Sequence, residues 1–370
     1  MRILFSAVPV AGHVLPVSPM VAAAAADGHQ VAILTSGDLK GLLAPFEVLA
    51  AGPSMAVNAA ETVKRLGRRW AGVGPEAAEM FAGTRVDLTF DDACTRAEEF
   101  GAELIVCDAL DFVGPAVAAT LKVPWAVHGI AGGMPPQFAR ALDERWASQL
   151  AQRGLTGTAR LAYVDPYPDL LHGEGAPLAE DRIPVRIMPY DRSDAVYESP
   201  AFGQPAPRVL ITLGTTFPDR DMEREFVRSV ATAGFNVLIT GYADDETAQA
   251  PNVRYVGFTP LARILPDADL VVSVGGTGTV LSALASGLPM VIRPVAADHP
   301  INAARAEKLG TARVITDPAD VGAAAQEVLG DPAFGQAARA VQERNQALPS
   351  PAEVLRSLVA LSEARRGRRS

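Results

Sequence analysis

Residues 258–303 read FTPLARILPDADLVVSVGGTGTVLSALASGLPMVIRPVAADHPINA, which is the most informative part of this chain. It holds an apolar run at 270–274, a glycine-rich turn at 275–279, a helical segment to about 286 and a second apolar run at 288–292. Short apolar runs bounded by glycine and proline predict buried strands. Strands that alternate with helices predict a parallel α/β sheet.

The glycine-rich turn predicts a phosphate site. Gly275, Gly276 and Gly278 let backbone amides approach an anion closely. The first N–H groups of the following helix lack intrahelical acceptors and lie at the positive end of its dipole. Thr277 and Thr279 can add hydroxyl donors. Taken alone, such a turn is also explained by close packing of a helix on a sheet.

The whole unit, from VGFTP at 256–260 to INAARAEKLG at 301–310, resembles the donor-binding signature of GT-B glycosyltransferases that decorate natural products. The resemblance implies that the turn with Phe258 and Thr259 stacks on and hydrogen-bonds the nucleotide base. It also implies that Asp298 holds sugar hydroxyls, with His299 beside it. A solvated loop carboxylate is the alternative for Asp298.

Two departures from the family pattern leave the sugar and the phosphate contacts open. The family usually has glutamine where His299 stands. Many members also have two histidines before the paired glycines, the second binding a phosphate, whereas Ser273 and Val274 stand there in this chain. Since an isopropyl group cannot donate a hydrogen bond, the turn amides and the hydroxyls of Thr215 and Thr216 must carry more of the stabilisation. The alternative is a degenerate site.

The amino-terminal half begins with the strand-like run MRILFSA at 1–7, a turn at 9–13 and a helical segment at 14–26. This order places His13 at the carboxyl edge of a sheet, where ligands of open α/β domains bind. The resemblance implies that His13 removes the proton from the acceptor hydroxyl and that a later aspartate orients it.

Asp108 is the candidate for that aspartate, because it follows the strand-like run at 103–107. A carboxylate that accepts the second ring N–H of a histidine fixes its tautomer and stabilises the imidazolium. Asp111 is the local competitor, and an N-cap of the next helix is the alternative role for Asp108. His128 ends another predicted strand and is a candidate for the acceptor side.

With 370 residues, 49% of them hydrophobic, the chain is long enough for two cores. The predicted fold is α/β, with two Rossmann-like domains facing a central cleft, as the resemblance implies. We expect an acceptor-binding domain at 1–189, a linker at 190–207, a nucleotide-sugar-binding domain at 208–350, and a carboxyl-terminal helix with a basic tail at 351–370 that packs back on the first domain.

Large apolar side chains in the less regular middle of the first domain are candidates for an acceptor pocket. An ordinary helix core explains them equally well. These residues are Trp70, Phe81, Met134 and Phe138.

The net charge of −9 and the pI near 5.2 argue against a nucleic-acid surface. Cys94 and Cys107 provide no disulfide framework, and neither a secretory signal nor a membrane-spanning run is apparent, so we expect a cytoplasmic protein. Asp267 and Asp269 read as a solvated turn rather than a metal site. The resemblance implies that no metal and no cofactor are needed.

The prediction is an inverting glycosyltransferase that moves a deoxysugar or other sugar from a TDP- or UDP-sugar donor to a hydroxyl of a lipophilic natural-product aglycone. A homodimer is one assembly to consider. The alternatives are a degenerate, non-catalytic GT-B binding or auxiliary protein and a nucleotide-sugar epimerase of the same architecture.

Overall fold

The computed structural model describes residues 1–69, 74–172, 178–191, 196–214, 219–241 and 247–367. Trp70, Thr215 and Thr216, which the sequence assigns to acceptor and donor binding, lie outside the described residues. The chain divides into two compact units. The first comprises Met1–Pro168, His172–Arg186 and Pro349–Ser370, and the second comprises Asp169–Leu171 and Ile187–Leu348. The domain and linker bounds drawn from the sequence stay predictions.

The first unit contains a seven-stranded parallel sheet with strand order β3-β2-β1-β4-β5-β6-β7. Its strands are β1 Arg2–Ser6, β2 Gln30–Thr35, β3 Val48–Ala50, β4 Leu104–Asp108, β5 Trp125–His128, β6 Tyr163–Asp165 and β7 Arg182–Pro184. The central β4 is buried along its whole length, as expected for a parallel strand covered on both faces.

The second unit contains a six-stranded parallel sheet with strand order β10-β9-β8-β11-β12-β13. Its strands are β8 Arg208–Thr212, β9 Asn236–Ile239, β10 Val253–Tyr255, β11 Leu270–Ser273, β12 Met290–Ile292 and β13 Ala312–Val314. The predicted α/β class with two parallel sheets is therefore confirmed.

Helices cover these sheets, and no helix in the described ranges is both long and apolar enough to cross a membrane. A π-helical segment, Glu79–Thr84, joins α4 to α5. The helices are α1 Ala11–Ala26, α2 Lys40–Leu43, α3 Met55–Leu66, α4 Pro75–Ala78, α5 Arg85–Phe100, α6 Val113–Leu121, α7 Pro136–Gln152, α8 Arg220–Thr232, α9 Leu261–Ile264, α10 Thr277–Ala285, α11 His299–Lys308, α12 Val321–Gly330, α13 Pro332–Gln346 and α14 Pro351–Gly367.

Alternating residues of the first sheet pack against different helices. Ile3 and Val106 lie in an apolar cluster with α1 and with Leu355 of α14, whereas Leu4 and Ile105 lie in a cluster with α5 and α6. The carboxyl-terminal helix thus packs on the sheet of the first unit. Side chains on successive strand residues point to opposite faces, so β1 and β4 each contribute to both clusters.

Two helix starts differ from the sequence predictions. The segment at 14–26 was expected to be helical, but α1 begins at Ala11, and the His13 N–H donates to the Val10 carbonyl at 2.9 Å. A solvated loop is one prediction for Asp298, but this residue lies directly before α11, which begins at His299. Glycine and histidine are weak helix formers, so the local sequence predicts that α1 begins after them. In the structure, burial of the apolar face of the helix stabilises its earlier start.

His128 is a buried histidine at the carboxyl end of β5, where it pairs in register with Asp108 of β4. It is 2% exposed, and its Nδ1 has no hydrogen-bond partner within the described part of the chain. Burial lowers the pKa of His128 to about 4, against the opposing effects of the Gly129 backbone and of Asp108 and Asp165. The imidazole is therefore neutral at physiological pH.

This burial predicts a pH-dependent stability. An unfolded histidine has a pKa of about 6.5, so the unfolded chain gains a proton at a higher pH than the folded chain does. The free energy of unfolding should therefore fall by up to about 3 kcal/mol as the pH drops from about 6.5 to about 4. His128→Asn should flatten this part of the curve in urea unfolding followed by circular dichroism. Parallel curves for the two proteins would contradict the assignment.

Candidate active site

His13 and Asp108 meet at the carboxyl edge of the first sheet. His13 lies in the first turn of α1, which follows β1, and Asp108 is the last residue of the neighbouring β4. The strand order reverses between β1 and β4, which is the position where ligands bind in open α/β sheets. The His13 Nδ1 lies 3.0 Å from the Asp108 Oδ1, and the two side chains are 15% and 0% exposed.

Asp108 is held as a carboxylate by its surroundings. Burial by itself raises its pKa, but the charge and hydrogen bond of His13 and two backbone N–H donors bring the pKa below its ordinary value. The Val8 N–H donates to Oδ2 at 2.7 Å, and the Leu110 N–H donates to Oδ1 at 2.8 Å. An ionised Asp108 accepts the Nδ1–H of His13, so Nε2 is the nitrogen available to take a proton.

Asp111, the competitor to Asp108, has a different role. It forms a buried ion pair with Arg85, and its carboxylate accepts from the N–H groups of Val113 and Gly114 at 3.1 and 3.2 Å. Asp111 therefore satisfies the first turn of α6, the capping role that was considered for Asp108. Arg85 also donates to the Ala7 carbonyl at 2.9 Å and so ties the segment after β1 to α5.

Three of the predicted acceptor residues lie in one apolar cluster near His13. Phe81, Met134 and Phe138 pack together there with Val8, just after β1. The Phe81 ring stacks on His13 with a centroid distance of 5.9 Å and an interplanar angle of 30°. Phe81 is carried by the π-helical segment, a distortion often found at functional sites. Phe138 is fully buried, so in this structure it is a core residue.

In the second unit, the glycine-rich turn follows β11 beside β8, where the strand order of that sheet also reverses. Gly275 has φ of +87°, and a Cβ added there would lie 2.9 Å from Ile292 Cγ2, so this position requires glycine. The N–H groups of Gly276, Thr277 and Gly278 have no acceptor among the described residues. Unpaired N–H groups at the start of α10 form an anion-binding geometry.

Asp298 is linked to this turn by side-chain hydrogen bonds. The Thr277 hydroxyl donates to Asp298 Oδ2, and Asn302 Nδ2 donates to the same oxygen at 2.7 Å. Thr277 therefore uses its proton on a carboxylate, whereas the sequence suggested a donor to phosphate. Sequence reasoning missed Asn302. The signal was its position four residues after Asp298, which places both on one side of a helix once α11 is known to begin at His299.

His299 is a buried, neutral neighbour of the turn. Its Nδ1 accepts a hydrogen bond from the Ala296 N–H at 3.4 Å, and a Cβ added to Gly276 would lie 3.7 Å from its Nε2. Burial lowers the pKa of His299, against the opposing charge of Asp298. The imidazole thus lies beside the turn, where burial favours its neutral form.

The two residues that replace the paired histidines point to opposite faces of the sheet. Val274 packs in the apolar cluster that β11 forms with α8 and α12. The Ser273 hydroxyl instead accepts a hydrogen bond from the Gly275 N–H at 3.2 Å. Of these two side chains, Ser273 is therefore the one that contacts the turn, whereas Val274 points into the core.

Phe258 is the exposed member of the predicted base-binding turn, since 53% of its surface is accessible. The Thr259 hydroxyl donates to the Val256 carbonyl at 2.7 Å and so closes that turn. Thr279 lies in the first turn of α10, where its N–H donates to the Gly276 carbonyl at 3.1 Å.

The Asp267–Asp269 pair has local partners. Asp267 accepts from the Tyr197 hydroxyl at 2.7 Å, and Asp269 accepts from the Arg208 N–H at 2.8 Å. Within the described ranges, no group of three or more acidic, histidine or cysteine side chains is placed to hold a metal ion. Metal-independent chemistry stays a prediction.

Known proteins are similar to this chain in both sequence and fold. Residues 226–361 match the EryCIII-like family, described as the C-terminal domain of erythromycin biosynthesis protein CIII-like proteins. The chain is 28% identical to the L-demethylnoviosyl transferase of Streptomyces niveus, over 97% of this chain and 98% of that protein. It is 29% identical to the elloramycin glycosyltransferase ElmGT of Streptomyces olivaceus, over 96% of each.

The structure of the Streptomyces sp. SF2575 glycosyltransferase SsfS6 complexed with thymidine diphosphate superposes with a TM-score of 0.83 at 27% identity, covering 97% of this chain and 99% of SsfS6. Similarity in sequence and in fold thus extends along nearly the whole chain. The chain therefore has the GT-B fold and is similar along nearly its whole length to glycosyltransferases of antibiotic biosynthesis, and residues 226–361 match the EryCIII-like C-terminal domain.

Proposed function

We propose that this glycosyltransferase inverts the anomeric centre as it moves a sugar from a TDP- or UDP-sugar to a hydroxyl of a lipophilic aglycone. The observation that carries the proposal is the His13–Asp108 pair, with 3.0 Å between Nδ1 and Oδ1 and a fully buried carboxylate. A histidine whose tautomer is fixed in this way is suited to general-base catalysis.

In the proposed reaction, His13 Nε2 takes the proton from the acceptor hydroxyl. The acceptor oxygen forms a bond to the anomeric carbon while the bond from that carbon to the diphosphate oxygen breaks, and the diphosphate leaves with the electron pair. Attack opposite the leaving group inverts the configuration. Asp108 stabilises the imidazolium until its proton is released.

The diphosphate is proposed to bind at the turn that begins α10. The unpaired N–H groups of Gly276, Thr277 and Gly278 are fixed dipoles that can stabilise the charge developing on the leaving group. Thr215 and Thr216, which the family resemblance assigns to the same role, would add hydroxyl donors. The thymidine diphosphate held by SsfS6 supports TDP as the nucleotide. Its base is proposed to stack on the exposed ring of Phe258.

The acceptor is proposed to contact the apolar cluster beside His13. Phe81 and Met134 would supply apolar contacts there, and this suits a flat or lipophilic aglycone. Similarity to an L-demethylnoviosyl transferase and to an elloramycin glycosyltransferase supports a sugar donor and an antibiotic acceptor. The His13–Asp108 pair favours transfer over the non-catalytic and epimerase alternatives, because neither requires a base for an acceptor hydroxyl.

Replacement of the proposed general base should lower the rate of the chemical step without changing the affinity for TDP. His13→Ala and Asp108→Asn should each lower kcat by about 10²- to 10⁴-fold, since general-base catalysis contributes that much. TDP affinity should stay within about twofold, because neither side chain belongs to the donor site. The measurements are acceptor-dependent release of TDP from a TDP-sugar and calorimetric binding of TDP. His29→Ala, at a histidine outside both sites, is the control, and an equal loss of TDP affinity would count against the base role.

Phe258 should determine nucleotide affinity without contributing to stability. Stacking of a base on an aromatic ring contributes about 1–3 kcal/mol, so Phe258→Ala should weaken TDP binding by about 5- to 150-fold. Since the ring is half-exposed, the Tm should change little. Calorimetry with TDP and UDP measures the loss of affinity and identifies the preferred nucleobase. The matched control is Leu361→Ala, because Leu361 is also an exposed apolar residue but lies on α14. Unchanged TDP affinity in Phe258→Ala would refute the assignment.

Histidine introduced at Val274 should not restore a phosphate contact. Because this side chain lies in the apolar cluster with α8 and α12, Val274→His buries a polar ring and should cost about 1–3 kcal/mol of stability. TDP affinity should not increase. Thermal unfolding and calorimetry are the measurements, and a clear gain in TDP affinity would show that residue 274 does reach the diphosphate.

A further inference from the structure

Asn302 is a buried amide beside the glycine-rich turn of the second unit. It lies in the second turn of α11 and is 2% exposed. Its Nδ2 lies 3.0 Å from the Gly275 carbonyl oxygen, 3.0 Å from Thr277 Oγ1 and 2.7 Å from Asp298 Oδ2. One NH₂ group therefore connects the glycine-rich turn, the first turn of α10 and the residue that precedes α11.

These contacts involve only one of the two carboxylate oxygens of Asp298. Oδ2 accepts from both the Thr277 hydroxyl and the Asn302 amide. Oδ1 has no hydrogen-bond partner among the described residues. Two donors on one oxygen fix the plane of the carboxylate, so the direction in which Oδ1 can accept a hydrogen bond is set before any ligand arrives.

The amide is also constrained by its surroundings. A buried donor or acceptor that loses its partner is costly, so the Gly275 carbonyl and the Asp298 carboxylate both favour the observed orientation of Asn302. A polar group that is so fully used within the protein is suited to orienting another residue and unsuited to contacting a ligand itself.

We infer that Asn302 is a positioning residue that, with Thr277, orients Asp298 so that Oδ1 accepts a hydrogen bond from one hydroxyl of the transferred sugar. This inference rests on the proposed function, because it assigns the carboxylate to the sugar of the donor. Asn302 acts through Asp298 and is not a catalytic residue. It follows that Asn302 contributes more to the affinity for a nucleotide sugar than to the affinity for the nucleotide alone.

The test compares TDP with TDP-glucose by calorimetry in wild type and in Asn302→Asp, which keeps the shape of the side chain but removes the NH₂ donors. The ratio of the two dissociation constants isolates the contribution of the sugar. Asn302→Asp should weaken TDP-glucose binding about tenfold more than TDP binding. Thr277→Val, which removes the other donor to Oδ2, should move the ratio in the same direction and serves if Asn302→Asp does not fold.

Asn236→Asp is the matched control. Asn236 is also buried, and its Nδ2 donates to two backbone carbonyls, those of Gln204 and Ala206 at 3.0 and 3.1 Å, but it lies on β9. This variant should lose stability without a change in the ratio. An equal loss of TDP and TDP-glucose affinity in Asn302→Asp, or no change in either, would overturn the inference.

Hydrogen–deuterium exchange separates failure of this inference from failure of the proposed function. Exchange of the amides at 275–279 should become faster in Asn302→Asp than in wild type, with no such change in Asn236→Asp. Wild type that binds neither TDP nor UDP nor TDP-glucose would overturn the proposed function and the sugar contact with it. Unchanged exchange at 275–279 would overturn the positioning role on its own.

Discussion

Parallel pairing of the strands is the constraint on which both candidate sites depend. It places the carboxyl ends of neighbouring strands at one edge, and it leaves a gap between helices wherever the strand order reverses. In the first sheet, this reversal falls between β1 and β4 and brings together His13 and Asp108. In the second sheet, it falls between β8 and β11, where the glycine-rich turn lies. The strand order of each sheet thus determines where its candidate site lies, independently of the side chains.

Neighbouring carboxylates at the edge of the first sheet have separate electrostatic roles. Asp111 pairs with Arg85 and caps α6, so its charge is neutralised within the scaffold. Asp108 has two backbone donors and one imidazole, and the imidazole is the only one of these partners that can change its protonation state. A buried carboxylate with one titratable partner can respond to a proton that arrives at His13, which is what a general base with an orienting group requires.

The polar groups at the glycine-rich turn of the second unit also have separate roles. Among the described residues its amides at 276–278 have no acceptor, whereas the hydroxyl of Thr277 and the amide of Asn302 are used within the protein to hold Asp298. Groups that need no reorganisation when a ligand binds contribute more to affinity and catalysis than mobile ones. The buried, neutral His299 beside the turn fits this pattern, since burial opposes a positive charge there.

Much of the fold and part of the site could be predicted from the sequence alone. Apolar runs, glycines and their order determined two parallel α/β units and the turn at Gly275, because strand burial and positive φ leave direct marks on residue type. The side-chain pairing could not be predicted, because two aspartates three residues apart look alike until the partners of each are known. Only tertiary packing decided that Asp108 meets His13, that Val274 faces the core and that Asn302 reaches Asp298, since each depends on helix starts and strand faces that local sequence does not fix.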